Sequence, residues 1–301
     1  MYIIGGITLR WAIVTGTSTG IGEAITLGLL KEKVNVIAGI RKQSDGQKLI
    51  EKSKNYSAKL VPVELDVTKD EQIEAVLVQA SELVGADGLW ALVNNAGVVV
   101  PGPLEFLTRN DWRRQFEINF FGMTEMTRVF LPLLRKGVAA QGSGVPRIML
   151  VSSIGGRVPQ PMLSAYTCSK FATTALGDSL RLELKRQGIG VTVLEPGAIA
   201  TAIWNKGAQA ASDFTPDHPA RQIYNTEIDG LTMVSRKTAA GALAADKAGE
   251  IAVQALVAQK APARVLVGDD AKLAALLKQL LPLAVFDRLI ASQFGIASPS
   301  V

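Results

Sequence analysis

Cysteine and histidine are almost absent from this chain. Its 301 residues include one of each, Cys168 and His218. A lone cysteine excludes an internal disulfide framework, and zinc sites draw mostly on these two residue types, so no metal centre is expected. No apolar run reaches the roughly 20 residues of a membrane span. No charged leader with an apolar signal core is seen either, and with the single cysteine this leads to the expectation of a reducing cytoplasm. The formal charge of +5 comes from Lys and Arg scattered among acids without a basic run, a pattern that serves solubility and argues against a nucleic-acid partner. Aromatic residues are scarce at 6%, linkers are not visible, and apolar residues make up 48% of the chain, so one globular domain over 1–301 is expected.

What the chain does contain is a regular alternation. Short apolar runs at 11–14, 34–38, 60–65, 89–93, 147–152 and 191–194 read as strands, and a further one is expected at 264–267. Helical spacing follows at 21–30, from 71 to about 85 behind the Thr68-Lys-Asp-Glu71 capping pattern, at 111–135, and in a helix that carries Tyr166 and continues to about 187. Strands alternating with helices imply a doubly wound α/β fold, a parallel sheet of about seven strands with helices on both faces. We divide it into a nucleotide-binding half at about 11–110 and a catalytic half at about 111–203. Residues 204–247, mixed in polarity and carrying Trp204, Phe214, His218 and Tyr224, read as an inserted loop with short helices that closes over a substrate. The C-terminal strand and an apolar-rich helical tail occupy about 262–301. The tail, with Leu273, Leu276, Leu277, Leu280, Leu281 and Phe286, reads as a packed helix; closure of the pocket, or contact with a second subunit or a membrane surface, is the alternative.

In such a sheet, ligands bind beyond the carboxyl ends of the strands, and the polar and glycine residues of this chain collect there. Thr15-Gly16-Thr17-Ser18-Thr19-Gly20-Ile21-Gly22 lies between strand and helix. Glycines permit a tight turn and close backbone approach, and a helix N-terminus attracts a pyrophosphate. At the end of the second strand Gly39-Ile40-Arg41-Lys42 carries no acid to bind a ribose 2′-hydroxyl, and Arg41 suits a 2′-phosphate, which favours NADP(H) over NAD(H). Tyr166-Thr-Cys-Ser-Lys170 puts a phenol and an ammonium on one helix face, with Ser153 thirteen residues upstream. A phenol has an unperturbed pKa of about 10, and an adjacent cation makes its proton available to a reacting oxygen.

Over 11–201 the chain resembles the short-chain dehydrogenase/reductase family. The resemblance rests on the glycine turn, Asp66, Asn94-Asn95-Ala96-Gly97, Asn119 in Asn-Phe-Phe-Gly, Ser153, Tyr166-x-x-x-Lys170 and Pro196-Gly197, all in order. Leu89-Trp90-Ala-Leu-Val-Asn-Asn-Ala-Gly, Ser-Ser-Ile-Gly-Gly-Arg157 and Leu-Glu195-Pro-Gly look like its retinol- and hydroxysteroid-handling branch. The resemblance implies catalytic roles for Asn119, Ser153, Tyr166 and Lys170. Tyr166 would be the acid/base, Ser153 would hold the substrate oxygen, Lys170 would bind the nicotinamide ribose and lower the phenol pKa, and Asn119 would hold a water of a proton relay. It also implies cofactor contacts from Gly16, Thr17, Ser18, Gly20, Ile21, Gly22, Arg41, Asp66, Val67, Asn95, Ala96, Gly97, Tyr166, Lys170, Pro196, Gly197, Ile199 and Thr201. In relatives the helices bearing Asn119 and Tyr166 are the subunit faces, so a homodimer or homotetramer is expected.

The expected activity is NADP(H)-dependent interconversion of a secondary alcohol and a ketone or aldehyde, on a bulky apolar small molecule. Two alternatives are carried: a cofactor-binding regulator or scaffold of the same fold, and an α/β-hydrolase in which Gly16-Thr-Ser18-Thr-Gly20 is a nucleophile elbow. The second lacks the upstream strand an elbow needs, because only ten residues precede Trp11. His218 is expected to be an ordinary loop residue, and Cys168 a small packing residue.

Overall fold

A computed structural model of the chain describes residues 10–140, 144–201 and 214–296. Seven strands, β1 (Trp11–Val14), β2 (Asn35–Ile40), β3 (Leu60–Glu64), β4 (Ala91–Asn94), β5 (Arg147–Val151), β6 (Gly190–Pro196) and β9 (Arg264–Val267), form one sheet in the order β3-β2-β1-β4-β5-β6-β9. Every pairing in it is parallel. Two short strands, β7 (Ile199–Ala200) and β8 (Leu243–Ala244), pair in parallel beside it.

Strand side chains alternate between faces, and the two cores follow that period. Ile13, Ile37, Leu92 and Ile148 point to one face, where they meet Ile73 and Val76 of α3 (Asp70–Val84), Met126, Phe130 and Leu134 of α5 (Gly122–Ala139), and Leu180 of α6 (Ser164–Glu183). Their neighbours Ala12, Val36, Ala91 and Met149 point the other way. There they meet Ile25 and Leu29 of α1 (Gly20–Lys31) and Ala248, Ala252 and Leu256 of α8 (Ala245–Val257). Helices thus cover both faces of a continuous parallel sheet, which explains why its strands read as unbroken apolar runs. The remaining helices are α2 (Gln43–Ser53), α4 (Arg109–Phe116), α7 (Pro219–Ala240), α9 (Asp269–Leu280) and α10 (Leu283–Gln293).

Several local expectations are corrected. Thr68 does not cap α3: its hydroxyl donates to Asp66 Oδ1 at 2.8 Å, and the helix starts at Asp70 behind Lys69. A capping box forms instead at Thr108 and Asp111, starting α4 two residues before the expected 111. The long helix that follows is not regular, because Glu117–Phe121 forms a wide π turn between α4 and α5. The described part of the 204–247 insertion is dominated by α7, 22 residues that a non-helical kink at Tyr224 divides into two helical pieces; Trp204 lies outside the described residues. His218 is the N-cap of α7, its Nδ1 accepting from Ala220 N at 3.1 Å. The tail is two helices, and Leu273, Leu276, Leu280, Leu283 and Leu289 are exposed while Phe286 is buried, so it is not packed all round. Cys168 is exposed on α6, and is not a packing residue. Among the described residues, no helix is long and apolar enough to cross a membrane.

Candidate active site

The strand order changes direction between β1 and β4, and the crevice that this opens at their carboxyl ends is where an α/β sheet takes its ligand. Thr15 and Gly16 leave β1 there, beside Asn95, Ala96 and Gly97 leaving β4. Thr15 Oγ1 accepts from Asn95 N at 2.9 Å and Ala96 N at 3.0 Å, while Asn95 Nδ2 donates to Thr15 O at 2.9 Å and Gly16 O at 3.0 Å. Thr17 fastens the turn on the other side, its N–H and its hydroxyl both donating to Gly39 O at 3.0 Å. Gly16 and Gly20 sit at φ +69° and +67°, where a side chain is strained. At Gly22 the constraint is contact: a Cβ would approach Gly16 O to 2.3 Å. Thr19, the N-cap of α1, makes no side-chain cap bond, so the turn presents the positive end of a helix to its mouth, where Ser18 and Ile21 are partly exposed.

Arg41 is exposed immediately past β2, and Asp66 and Val67 follow the end of β3. Asp66 Oδ1 accepts from the N–H and hydroxyl of Thr68, and its own N–H donates to Gln72 Oε1 at 2.6 Å, so the acid is held in place by its own loop.

The second half supplies the titrating groups. Asn119 sits in the π turn, fully buried. Its Oδ1 accepts from Val98 N at 2.8 Å, and its Nδ2 donates to Val98 O at 3.0 Å and to Ser169 Oγ at 3.2 Å. Gln115, which the sequence did not single out, reinforces the same segment, accepting from Val100 N and donating to Val98 O. Ser169 was likewise missed, although it stands inside the Tyr-x-x-x-Lys motif. Lys170 is 4% exposed; its ammonium donates to Val151 O at 2.8 Å and lies 5.8 Å from the centre of the Tyr166 ring. Burial lowers its pKa to about 8. Burial pushes the Tyr166 phenol up from its ordinary value, and a hydrogen bond with Ser153 pulls it back. Ser153, at the head of a short 3₁₀ turn, accepts from Gly155 N at 3.0 Å and donates to Pro196 O at 3.4 Å. Gly155 lies beneath the phenol, where a Cβ would come within 3.2 Å of its Cε1. The sequence expects lysine to lower the phenol pKa; in the structure the Lys170 ammonium donates to the Val151 carbonyl, and the Ser153 hydrogen bond opposes the effect of burial, which still leaves the phenol above its ordinary value.

Pro196 ends β6, and Gly197, Ile199 and Thr201 follow it on the far side of the crevice. Thr201 bridges back to the glycine turn: a Cβ on Gly20 would come within 2.9 Å of Thr201 Cγ2. Beside Tyr166 stands a third apolar cluster, separate from the two cores. Met162, Leu163, Ile228, Leu231 and Phe294 are buried in it, with Phe106, Phe214 and Tyr224 packed against them. It joins α7 and the C-terminal tail to the wall of the site, a juxtaposition that no local pattern announces.

A family model for the short chain dehydrogenases matches residues 10–212. An NADPH-dependent 3-dehydrocapnine reductase of Ornithobacterium rhinotracheale is 35% identical over 68% of this chain and 71% of its own length. Estradiol 17-beta-dehydrogenase 2 of Rattus norvegicus is 38% identical over 64% of this chain, a match that spans 48% of the rat protein. Among solved structures, a short-chain dehydrogenase from Streptomyces avermitilis superposes with a TM-score of 0.74 at 26% identity, covering 95% of both chains. The chain belongs to the short-chain dehydrogenase/reductase family.

Proposed function

We propose that the protein transfers hydride reversibly between NADP(H) and a secondary alcohol or ketone, with a bulky apolar molecule as substrate. The observation that carries this reading is the convergence of Ser153, Tyr166 and Lys170, from β5 and α6, on the crevice into which the α1 glycine turn opens.

The residues fit a nicotinamide dinucleotide. Gly16, Gly20 and Gly22 let the turn close tightly against Ala96, Thr201 and its own backbone at the start of α1, whose N-terminus suits a pyrophosphate, and Asp66 and Arg41 follow the strands on the adenosine side. Arg41 is exposed and free to turn to a 2′-phosphate, which supports NADP(H) over NAD(H), as does the NADPH named for the capnine relative. The cofactor supplies the hydride; the protein supplies position and a proton. Tyr166 gives its phenolic proton to the substrate oxygen in reduction and takes it back in oxidation. Ser153 directs its hydroxyl to that same oxygen. Lys170 holds a positive charge at the site up to about pH 8 and favours the phenolate once the proton has left. The side chain of Asn119 is committed to Val98 and Ser169, so we assign the relay water to the backbone of its π turn, where the regular helix ladder is interrupted. The apolar cluster around Met162, Phe106 and Phe214 supports an apolar substrate, and α7 is assigned as part of the cover over it. The exposed Phe121 and Phe171, on the elements bearing Asn119 and Tyr166, support assembly of two or four copies.

The test is label transfer. NADPH deuterated at the reactive carbon, incubated with a steroid-like ketone, should yield a product alcohol carrying one deuterium at the carbinol carbon. Unlabelled alcohol, or no alcohol from any ketone tried, contradicts the reading. A cofactor-binding regulator of the same fold would bind NADPH and give no product.

A further inference from the structure

Four consecutive residues at the end of β6 are each tied to a different part of the chain. The Glu195 carboxylate is fully buried and pairs with Arg157 and Arg264. Pro196 O accepts from Ser153 Oγ. Gly197 N donates to Val267 O at 2.9 Å. Ala198 donates its N–H to Asp270 Oδ2 at 2.7 Å and accepts from Leu243 N at 2.9 Å. Arg264, Val267, Asp270 and Leu243 all lie beyond residue 212, where the match to the family model ends. The turn on the nicotinamide side of the crevice is therefore held largely by the C-terminal segment.

Asp270 has the most constrained place in this arrangement. Its carboxylate occupies a notch between two glycines: a Cβ on Gly197 would come within 2.3 Å of Oδ2, and one on Gly268 within 2.4 Å of Oδ1. The turn it fastens leads directly into β7 and Thr201, which rests against Gly20 of the phosphate-binding turn. A shift of Ala198 is thereby passed to both sides of the crevice. Asp270 is itself exposed, so water replaces it readily and its loss costs the fold little; what it controls is where the turn sits.

We propose that Asp270 is a positioning residue for the nicotinamide end of the cofactor, acting through the Pro196-Gly197-Ala198 turn; this rests on the dehydrogenase reading above. The acceptor oxygen is the operative feature, and Asp270→Asn can retain one where Asp270→Ala cannot.

Three readouts test it on the full-length protein: amide exchange of residues 195–201 without cofactor, NADPH Kd from fluorescence, and turnover of an apolar ketone. Losing one hydrogen bond should speed exchange at Ala198 by roughly tenfold in Asp270→Ala and raise the NADPH Kd by about fivefold, with the urea midpoint unchanged. Turnover at saturating NADPH should fall with it. Asp270→Asn should stay within about twofold of the parent in all three, as expected if a retained oxygen suffices. Equal exchange and equal Kd in Asp270→Ala and the parent would overturn the proposal, as would an Asn variant impaired as much as the Ala variant. A lowered urea midpoint with unchanged Kd would make the residue structural only, and also overturn it. If the parent binds neither NADPH nor NADH, the dehydrogenase reading fails and takes the cofactor role of Asp270 with it, an outcome distinguished by faster exchange in Asp270→Ala that no nucleotide alters.

Discussion

Replacing Glu195 by alanine should be one of the most destabilising changes available near the site. The carboxylate has no exposed surface and stands between two guanidinium groups. Oε1 accepts from Arg157 Nε at 2.8 Å and from Arg264 Nη1 at 2.9 Å, and Arg157 Nη2 lies 2.8 Å from Oε2 as an ion pair, out of line for a hydrogen bond. Removing one partner of a buried pair costs about 3–5 kcal/mol, because a charge is left uncompensated. Here the two arginines are 31% and 29% exposed and can reach water, and Arg264 keeps Asp178 as a partner, so the low end applies, about 3 kcal/mol. At about 2–4 °C per kcal/mol for a chain approaching this size, the thermal midpoint should fall by about 6–12 °C. Glu195→Gln, which keeps an acceptor and loses the charge, should cost about half as much. Urea unfolding of parent and variants at pH 7 measures the difference, with an unchanged m-value as the check that the transition is comparable. A loss below about 1 kcal/mol for Glu195→Ala would refute the reasoning, and would mean that the arginines are solvated well enough to need no counter-ion.

Three further outcomes follow from the same geometry. Tyr166→Phe removes only the transferable proton, so turnover should drop by about 10²–10⁴-fold while NADPH Kd stays within a few-fold; activity above about one tenth of the parent would take the acid role from Tyr166. Arg41→Ala should shift the NADPH-over-NADH efficiency ratio by about 1.5–3 kcal/mol, and an unchanged ratio, or an initial preference for NADH, would place phosphate recognition elsewhere. Lys170 is depressed from 10.5 to about 8, so the unfolded chain binds more protons between those values and stability rises with pH across that window. The rise is worth about 3 kcal/mol from this group and should vanish in Lys170→Met; identical pH dependence of parent and variant would contradict the buried ammonium.

Local chemistry made much of the molecule legible. The strands announced themselves because a sheet covered on both faces needs apolar side chains on every residue, as at Ala12, Ile13 and Val14, and the glycine turn because Gly16 and Gly22 meet constraints that no other residue satisfies. Tyr166 and Lys170 share a face through helix periodicity alone. What failed was competition between local partners. Thr68 had the spacing of a helix cap, yet Asp66, two residues back, took its hydroxyl. Cys168 was read by residue type, while its exposure is set by which face of α6 turns outward. Contacts between distant segments were beyond reach. Nothing near Asp270 points to Ala198, 72 residues earlier, nor anything near Phe294 to the apolar cluster beside Tyr166. The π turn at Asn119 was hidden too, since its sequence differs little from regular helix.

The central claim is that this crevice carries out NADP(H)-linked carbonyl chemistry through Tyr166. It is tested most directly by following NADPH absorbance against a panel of ketones, aldehydes, steroids and retinoids, with NADH and the Tyr166→Phe variant run in parallel. The account predicts consumption of NADPH with at least one bulky apolar carbonyl compound, slower consumption of NADH, and near-complete loss of both in the variant. NADPH that binds but is not consumed across the panel, or consumption that survives in Tyr166→Phe, would contradict it.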